Sequence, residues 1–304
     1  MKKIIITILL IILMPYVIVT LFIKDEEIKF KYISNDIVRV KREKTGLIEE
    51  VPFEEYVKGV LAGEMPASFH IEALKAQAVA ARTYVLKKIE ENKAKDYDVV
   101  DSVKNQVYLD EEVLKKNWGK NYTKNINNIK QAILETKGEY ITYENEIITA
   151  FFFSTSNGKT ENCEEVFVEK LPYLKSVDST WDINESPVYN DEKTFTLKEF
   201  YSKLGLKYSE NLEIKVLSYT EGNSVKNIKI NNNIFKGTDV RYKLGLKSAD
   251  FTIKKNNKEV KITTKGNGHG VGMSQYGALA MAKNGYKYDE ILKYYYKNVE
   301  IQKK

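Results

Sequence analysis

Three stretches of the chain carry residue types that do chemistry. In Leu61-Ala62-Gly63-Glu64-Met65-Pro66, Glu64 stands among small and apolar residues, with Glu55 and Glu72 its nearest acids in sequence. A carboxyl desolvated by apolar neighbours resists ionisation, which suits a general acid. An exposed glutamate at a helix end fits the same residues, so local context nominates Glu64 without deciding for it. The second stretch, Gly266-Asn267-Gly268-His269-Gly270-Val271-Gly272-Met273, puts glycine at every second position around His269. Glycines allow positive φ and close approach of a ligand or another backbone. A phosphate cradle is one reading, yet the P-loop lysine is missing and the spacing is not that of a dinucleotide turn. A tight structural turn with a hydrogen-bonded histidine satisfies the pattern equally. The third stretch, Asn157-Gly158-Lys159-Thr160, ends like a phosphate loop, but Phe153 occupies the position of the leading glycine, which argues against an ATPase. Cys163 lies beside Glu161, Glu164 and Glu165, but the only histidines, His70 and His269, are remote. That spacing does not make a zinc set, and a small buried hydrophobe is the better reading of Cys163.

The elements that must position these residues begin with a membrane signal. Lys2 and Lys3 precede an uncharged run over residues 4–23, and twenty helical residues span about 30 Å, a bilayer core. Positive charge before the run predicts that everything after it lies outside the cytoplasm. A cleaved signal peptide is the rival, but no small-x-small site precedes Lys24. The single cysteine excludes an intramolecular disulfide framework, so packing must supply stability. Lys and Arg total 48 against 42 acids, a net charge of +6 spread along the chain. With no basic block interleaved by aromatics, this pattern excludes a nucleic-acid partner and would weakly favour an anionic wall or lipid surface.

Ile28, Phe30 and Tyr32 alternate with charges, then Ile37-Val38-Arg39-Val40 follows, reading as a stalk and first strand. Tyr56, Val57, Val60 and Leu61 predict a helix over 54–63, which Pro66 must break near Glu64. Ser68 is the expected cap of a second helix carrying Leu74, Ala78, Ala81, Val85 and Ile89, whose five alanines over 73–81 permit close packing. Residues 96–128 read as polar short segments, 129–136 as a helix, and 140–143 with 147–153 as a hairpin turning at Glu144-Asn145. A composition shift over 191–265 predicts a helix at 196–204, paired strands 214–219 and 225–230, and a hairpin 251–254 with 260–264. Helices at 273–283 and 289–296 close the chain. The expected architecture is α+β: a transmembrane anchor (1–23), a stalk and first strand (24–45), a catalytic lobe (46–183) and a second α+β lobe (184–265). A Gly-rich turn with helices (266–304) would pack back on the catalytic lobe, leaving a substrate cleft.

Longer motifs add a resemblance. Val57-Lys58-Gly59-Val60-Leu61-Ala62-Gly63-Glu64-Met65-Pro66, followed by Glu72-Ala73-Leu74-Lys75-Ala76-Gln77-Ala78-Val79-Ala80-Ala81-Arg82-Thr83-Tyr84, resembles the signature of the stage II sporulation protein D family. So do Ser154-Thr155-Ser156-Asn157-Gly158-Lys159-Thr160-Glu161, Leu171-Pro172-Tyr173-Leu174-Lys175-Ser176-Val177 and Gly268-His269-Gly270-Val271-Gly272-Met273-Ser274-Gln275-Tyr276-Gly277-Ala278. The motifs fall in order over most of residues 50–300. The resemblance implies a peptidoglycan lytic transglycosylase that acts during forespore engulfment, anchored in the mother-cell membrane and facing the intermembrane space. It also implies a preference for glycan strands stripped of stem peptides by a partner amidase/endopeptidase, stage II sporulation protein P, and no cofactor. The family's catalytic glutamate falls on Glu64. Arg82, Tyr173, Lys175, Ser154, Ser156, His269, Ser274 and Gln275 are the candidate substrate contacts, with a structural hydrogen-bond anchor the alternative for Arg82 and a purely architectural role the alternative for the Gly-rich turn. Some relatives bind zinc near the 153–158 loop; Phe153 and Asn157-Gly158 depart from that pattern, so no metal is expected. The same motifs occur in amidase enhancers, which keeps open a glycan-binding activator of an N-acetylmuramoyl-L-alanine amidase. A plain glycoside hydrolase is a third reading.

Overall fold

The computed structural model describes residues 11, 13, 14, 26–29, 36–256 and 259–304. The expected anchor, apart from those first three positions, and most of the stalk lie outside the described residues. Among the described residues no helix is long and apolar enough to cross a membrane. The remainder is a mixed α+β fold.

Its organising feature is a helical corner. Helix α1 (Phe53–Glu64) starts at Pro52 and ends where Met65 turns extended, at φ −130° and ψ 135°. The ring of Pro66 disfavours helical geometry in the residue before it, so Glu64 becomes the last residue of α1. Helix α2 (Ile71–Glu91) follows. Its cap is His70 and not the expected Ser68: the His70 ring nitrogen accepts the Glu72 N–H at 3.3 Å. Ala73, Ala76, Ala78, Ala80 and Ala81 are fully buried, so neighbours pack almost against the α2 backbone.

Those neighbours come from both ends of the chain. Helices α3 (Glu111–Trp118) and α4 (Tyr122–Glu135) occupy the region expected to be short polar segments. Tyr122, Ile126, Ile129 and Ile133 form one buried helical stripe, beginning two turns before the helix predicted from 129. Two four-residue helices follow, α5 (Cys163–Val166) and α6 (Asp182–Glu185), then α7 (Leu197–Leu204), α8 (Gly237–Leu244), α9 (Gln275–Lys283) and α10 (Tyr288–Tyr295). Helix α2 packs on α1, α4, α9 and α10.

The strands are short. β1 (Ile37–Lys41) lies between β2 (Ile48–Pro52) and β3 (Val99–Val100). β4 (Glu139–Tyr143) turns through Glu144 and Asn145, both at positive φ, into β5 (Glu146–Ile147), as the hairpin signal required. The expected second hairpin strand breaks there: β6 (Phe152–Phe153) pairs elsewhere, in parallel with β13 (Met273–Ser274). β7 (Asn190–Thr196) joins the hairpin of β11 (Phe251–Asn256) and β12 (Glu259–Lys265), while β8 (Ile214–Tyr219), β9 (Val225–Ile230) and β10 (Asn233–Lys236) make a separate meander. β14 (Glu300–Lys303) pairs with β4.

Two large buried apolar clusters result. One joins Tyr56, Leu61 and Leu74 to Met273, Leu292 and Tyr296; the other holds Phe200, Tyr201, Ile228, Val240 and Ile262. The glycines at 266, 268, 270 and 272 all have positive φ. At Gly272 (φ 80°) an added Cβ would lie 2.0 Å from the Phe151 carbonyl oxygen, so the alternation in sequence is needed to lay this segment against residues 151–161.

Candidate active site

Glu64 ends α1 half-buried, and its Oε1 accepts the Val107 N–H at 2.6 Å. Burial pushes the carboxyl pKa up, the Val107 N–H opposes this, and burial wins. Among the described residues no neighbouring charge enters that balance. The carboxyl also sits at the negative end of the α1 dipole, with no basic residue in the last turn to offset it. Both effects favour the protonated acid.

The partner segment, residues 105–109, lies within the stretch that sequence reasoning passed over as polar and mixed. It is pinned residue by residue: Asn105 donates to the Tyr84 hydroxyl at 3.1 Å, and Gln106 accepts from the Tyr56 hydroxyl at 3.3 Å. Tyr108 stacks on Tyr56 with centroids 5.3 Å apart, and the Leu109 N–H reaches the Gly59 carbonyl at 3.3 Å. Gly63 makes this possible, because a Cβ there would lie 2.6 Å from the Val107 carbonyl oxygen. Gly59 and Gly63, four apart on one helix face, were the signal for such an approach. Gly63→Ala is therefore expected to lower stability by about 1–3 kcal/mol through overpacking. Urea denaturation checks this, and an unchanged midpoint would mean that the close contact holds nothing.

Among the described residues, the hydrogen bonds of the other expected site residues run to partners other than Glu64. Ser156 and Ser274 are buried and meet at Asp182, a residue the sequence did not single out. The Asp182 carboxylate accepts the Ser156 N–H at 2.9 Å, the Ser156 hydroxyl at 3.2 Å, the Ser179 hydroxyl at 2.8 Å and the Ser274 hydroxyl. Burial still pushes its pKa up against these bonds. Ser274 also caps α9 through the Gly277 N–H, and Ser154 borders the network, its carbonyl accepting the Tyr276 N–H at 3.1 Å. Gln275 reaches back to Gln77 of α2 at 3.5 Å. This network staples α9 to the 154–160 loop.

Arg82 is 1% exposed. Its Nε and Nη2 hold both carboxylate oxygens of Glu54, at 2.8 and 2.9 Å, and its Nη1 donates to the Glu139 carbonyl at 3.1 Å. Its contacts are those of a structural anchor joining α1, α2 and β4. Tyr173 is buried, its hydroxyl accepting the Thr149 N–H at 3.0 Å. Lys175 is partly exposed and pairs with Glu164 at 2.8 Å. Cys163 is buried, and burial pushes its thiol up to about 11, so it stays a thiol at neutral pH.

His269 is half-buried among Phe151, Phe153 and Phe167, with ring centroids 5.4–5.8 Å away. Its Nδ1 accepts the Val271 N–H at 3.1 Å, which leaves the proton of the neutral ring on Nε2. Burial, with a smaller contribution from the Arg241 charge, holds its pKa down at about 4. A depressed folded pKa means that the unfolded chain takes up the proton first, so stability present above pH 6.5 is lost as pH falls toward 4. Partial exposure trims the loss to about 2 kcal/mol. His269→Asn, which retains an acceptor for Val271, should narrow the difference in stability between pH 7 and pH 4; an unchanged difference would contradict this.

Three relatives are similar to this chain over most of its length. Residues 41–143 match the model of a family described as Stage II sporulation protein (SpoIID). The stage II sporulation protein D of Bacillus subtilis is 49% identical over 259 residues, covering 84% of this chain and 75% of that protein. Its Bacillus amyloliquefaciens counterpart is 47% identical over 269 residues, covering 87% and 78%. The amidase enhancer of Bacillus subtilis is 32% identical over 294 residues, covering 79% of this chain and 39% of that protein.

Proposed function

We propose that this chain, which belongs to the stage II sporulation protein D family, is a lytic transglycosylase cleaving peptidoglycan glycan strands with Glu64 as its acid and base. The observation that carries this reading is the environment of Glu64: half-buried, raised in pKa by burial, and hydrogen-bonded among the described residues only to Val107. A carboxyl so placed holds a proton to give. Donation to the oxygen between N-acetylmuramic acid and N-acetylglucosamine breaks that bond and develops an oxocarbenium-like centre at C1 of the muramyl residue. The resulting Glu64 carboxylate takes the proton of the muramyl C6 hydroxyl as its oxygen bonds to C1, closing a 1,6-anhydro ring. The nucleophile is supplied by the sugar, so a second carboxylate with the spacing of a glycosidase pair is not required.

The finer assignments belong to the same proposal. They are action on peptide-free strands during engulfment, an anchor over residues 1–23, placement outside the cytoplasm at the mother-cell membrane, a cleft between two lobes, and stage II sporulation protein P as partner. A second reading, a glycan-binding activator of an amidase, draws on the relative named amidase enhancer. Wild type and Glu64→Ala, each incubated with purified peptide-free strands and separately with an amidase on intact peptidoglycan, separate the two. The enzyme reading expects anhydro-muramyl ends from wild type alone. Amidase stimulation by both proteins, with no anhydro ends from either, would establish the activator instead.

A further inference from the structure

Segments 153–166, 220–249 and 265–270 enclose a cavity of about 270 Å³ that Glu64 does not line. Its acids are already engaged: Glu161 accepts from Thr220 Oγ1 at 2.9 Å and the Gly222 N–H at 3.2 Å, Glu164 holds Lys175, and Glu165 holds Lys226. Arg241 is different. It has no carboxylate partner among the described residues, and its one hydrogen bond there runs from Nε to the Lys247 carbonyl at 3.2 Å. Burial alone pushes its pKa down, so its charge is desolvated without compensation. An uncompensated, partly buried guanidinium is costly, and an incoming anion would relieve that cost.

Arg241 does not act on this cavity alone. Lys236, the residue before α8, supplies no side-chain cap, so the first N–H groups of the helix lack the usual side-chain acceptor. Thr238 and Arg241, three apart on one face of α8, both line the cavity. A helix N-terminus, a hydroxyl and a planar guanidinium thus converge on one volume. Phe153 and the neutral His269 line it as well, giving an aromatic surface of the kind on which a sugar ring packs.

We propose that this cavity is a subsite for a sugar-borne carboxylate, with Arg241 pairing to it through its two Nη groups and Thr238 and the first turn of α8 donating to it. The inference rests on the glycan-strand reading. Each muramyl residue of a peptide-free strand carries a free lactyl carboxylate, and a stem peptide converts that group to an uncharged amide. Arg241 is therefore a specificity residue that selects peptide-free strands, separate from the acid that cleaves them.

The test is a titration of the full-length protein in detergent with three probes, followed by ligand-observed NMR. N-acetylmuramic acid carries the lactyl carboxylate, N-acetylglucosamine carries none, and N-acetylmuramyl-L-alanine carries only a peptide carboxylate. N-acetylmuramic acid should bind at least tenfold more tightly than the other two. Arg241→Gln should abolish that preference, and Thr238→Val should weaken it severalfold with the fold intact by circular dichroism. Equal binding of N-acetylmuramic acid and N-acetylglucosamine, or wild-type affinity in Arg241→Gln, overturns the subsite. Equal binding of N-acetylmuramyl-L-alanine overturns the lactyl assignment. Cleavage of peptide-free strands is followed in parallel: anhydro ends that depend on Glu64 but not on Arg241 would remove the subsite and leave the reaction standing, whereas the absence of such ends would remove the reaction.

Discussion

Glu64→Gln should keep its fold and lose glycan cleavage by about 10²- to 10⁴-fold, the range of a general acid–base contribution. The upper end is expected, since in the proposed reaction one carboxyl gives the first proton and accepts the second. Glutamine keeps an oxygen for the Val107 N–H and removes only the titrating proton. The stability consequence has the opposite sign. Burial raises the folded pKa of Glu64 above its unfolded value, so between those values the folded chain binds more protons. Stability from this group is therefore full below the unfolded pKa and falls as pH rises through the folded pKa. At pH 7 Glu64→Gln should melt at or above the wild-type temperature, with the difference vanishing in acid. The wild-type cleavage rate should likewise decline as pH rises past the raised pKa of Glu64. A variant that melts well below wild type at pH 7 would make any loss of activity uninterpretable as loss of an acid.

The second large effect is on stability alone. Arg82→Ala leaves the Glu54 carboxylate half-buried without its bidentate partner and the Glu139 carbonyl without a donor. Removing one member of a buried pair costs about 3–5 kcal/mol. At roughly 2–4 °C per kcal/mol for a chain of this size, the melting temperature should fall by on the order of 10 °C. Replacing both partners with methionine should recover much of the loss, because the stranded charge goes with its partner. The family resemblance left Arg82 open between a substrate contact and a structural anchor. An Arg82→Ala protein with an unchanged melting temperature and weakened glycan binding would restore the first of these roles.

What could be read from the sequence was whatever local rules decide. Pro66 dictates where α1 stops and hence where Glu64 sits, and the positive φ of Glu144 and Asn145 closes β4 onto β5. The paired strands β8 and β9 and the hairpin of β11 with β12 follow alternation and turn residues in the same way. What escaped was set by partners remote in sequence. Val107 reaches Glu64 by a backbone N–H, which leaves no trace in residue type, and only the Gly59 and Gly63 spacing hinted that a chain would lie there. Asp182 draws together Ser156, Ser179 and Ser274, and no pattern in any one stretch announces that network. Motif membership likewise could not distinguish a serine facing substrate from one bonded inside the fold. The polar interruptions of α4, Lys124, Asn125, Asn127 and Asn128, hid a buried stripe running from Tyr122 to Ile133. Arg241 was missed because a lone arginine looks solvated until the structure shows it half-buried beside a cavity without a counter-charge.

The most direct measurement is the mass of the muramyl ends that wild type releases from purified peptide-free strands. Intramolecular attack by the C6 hydroxyl predicts 1,6-anhydro ends, lighter by one water than the ends left by hydrolysis, and none from Glu64→Gln. Reducing ends from wild type, or anhydro ends produced equally by Glu64→Gln, would contradict the account.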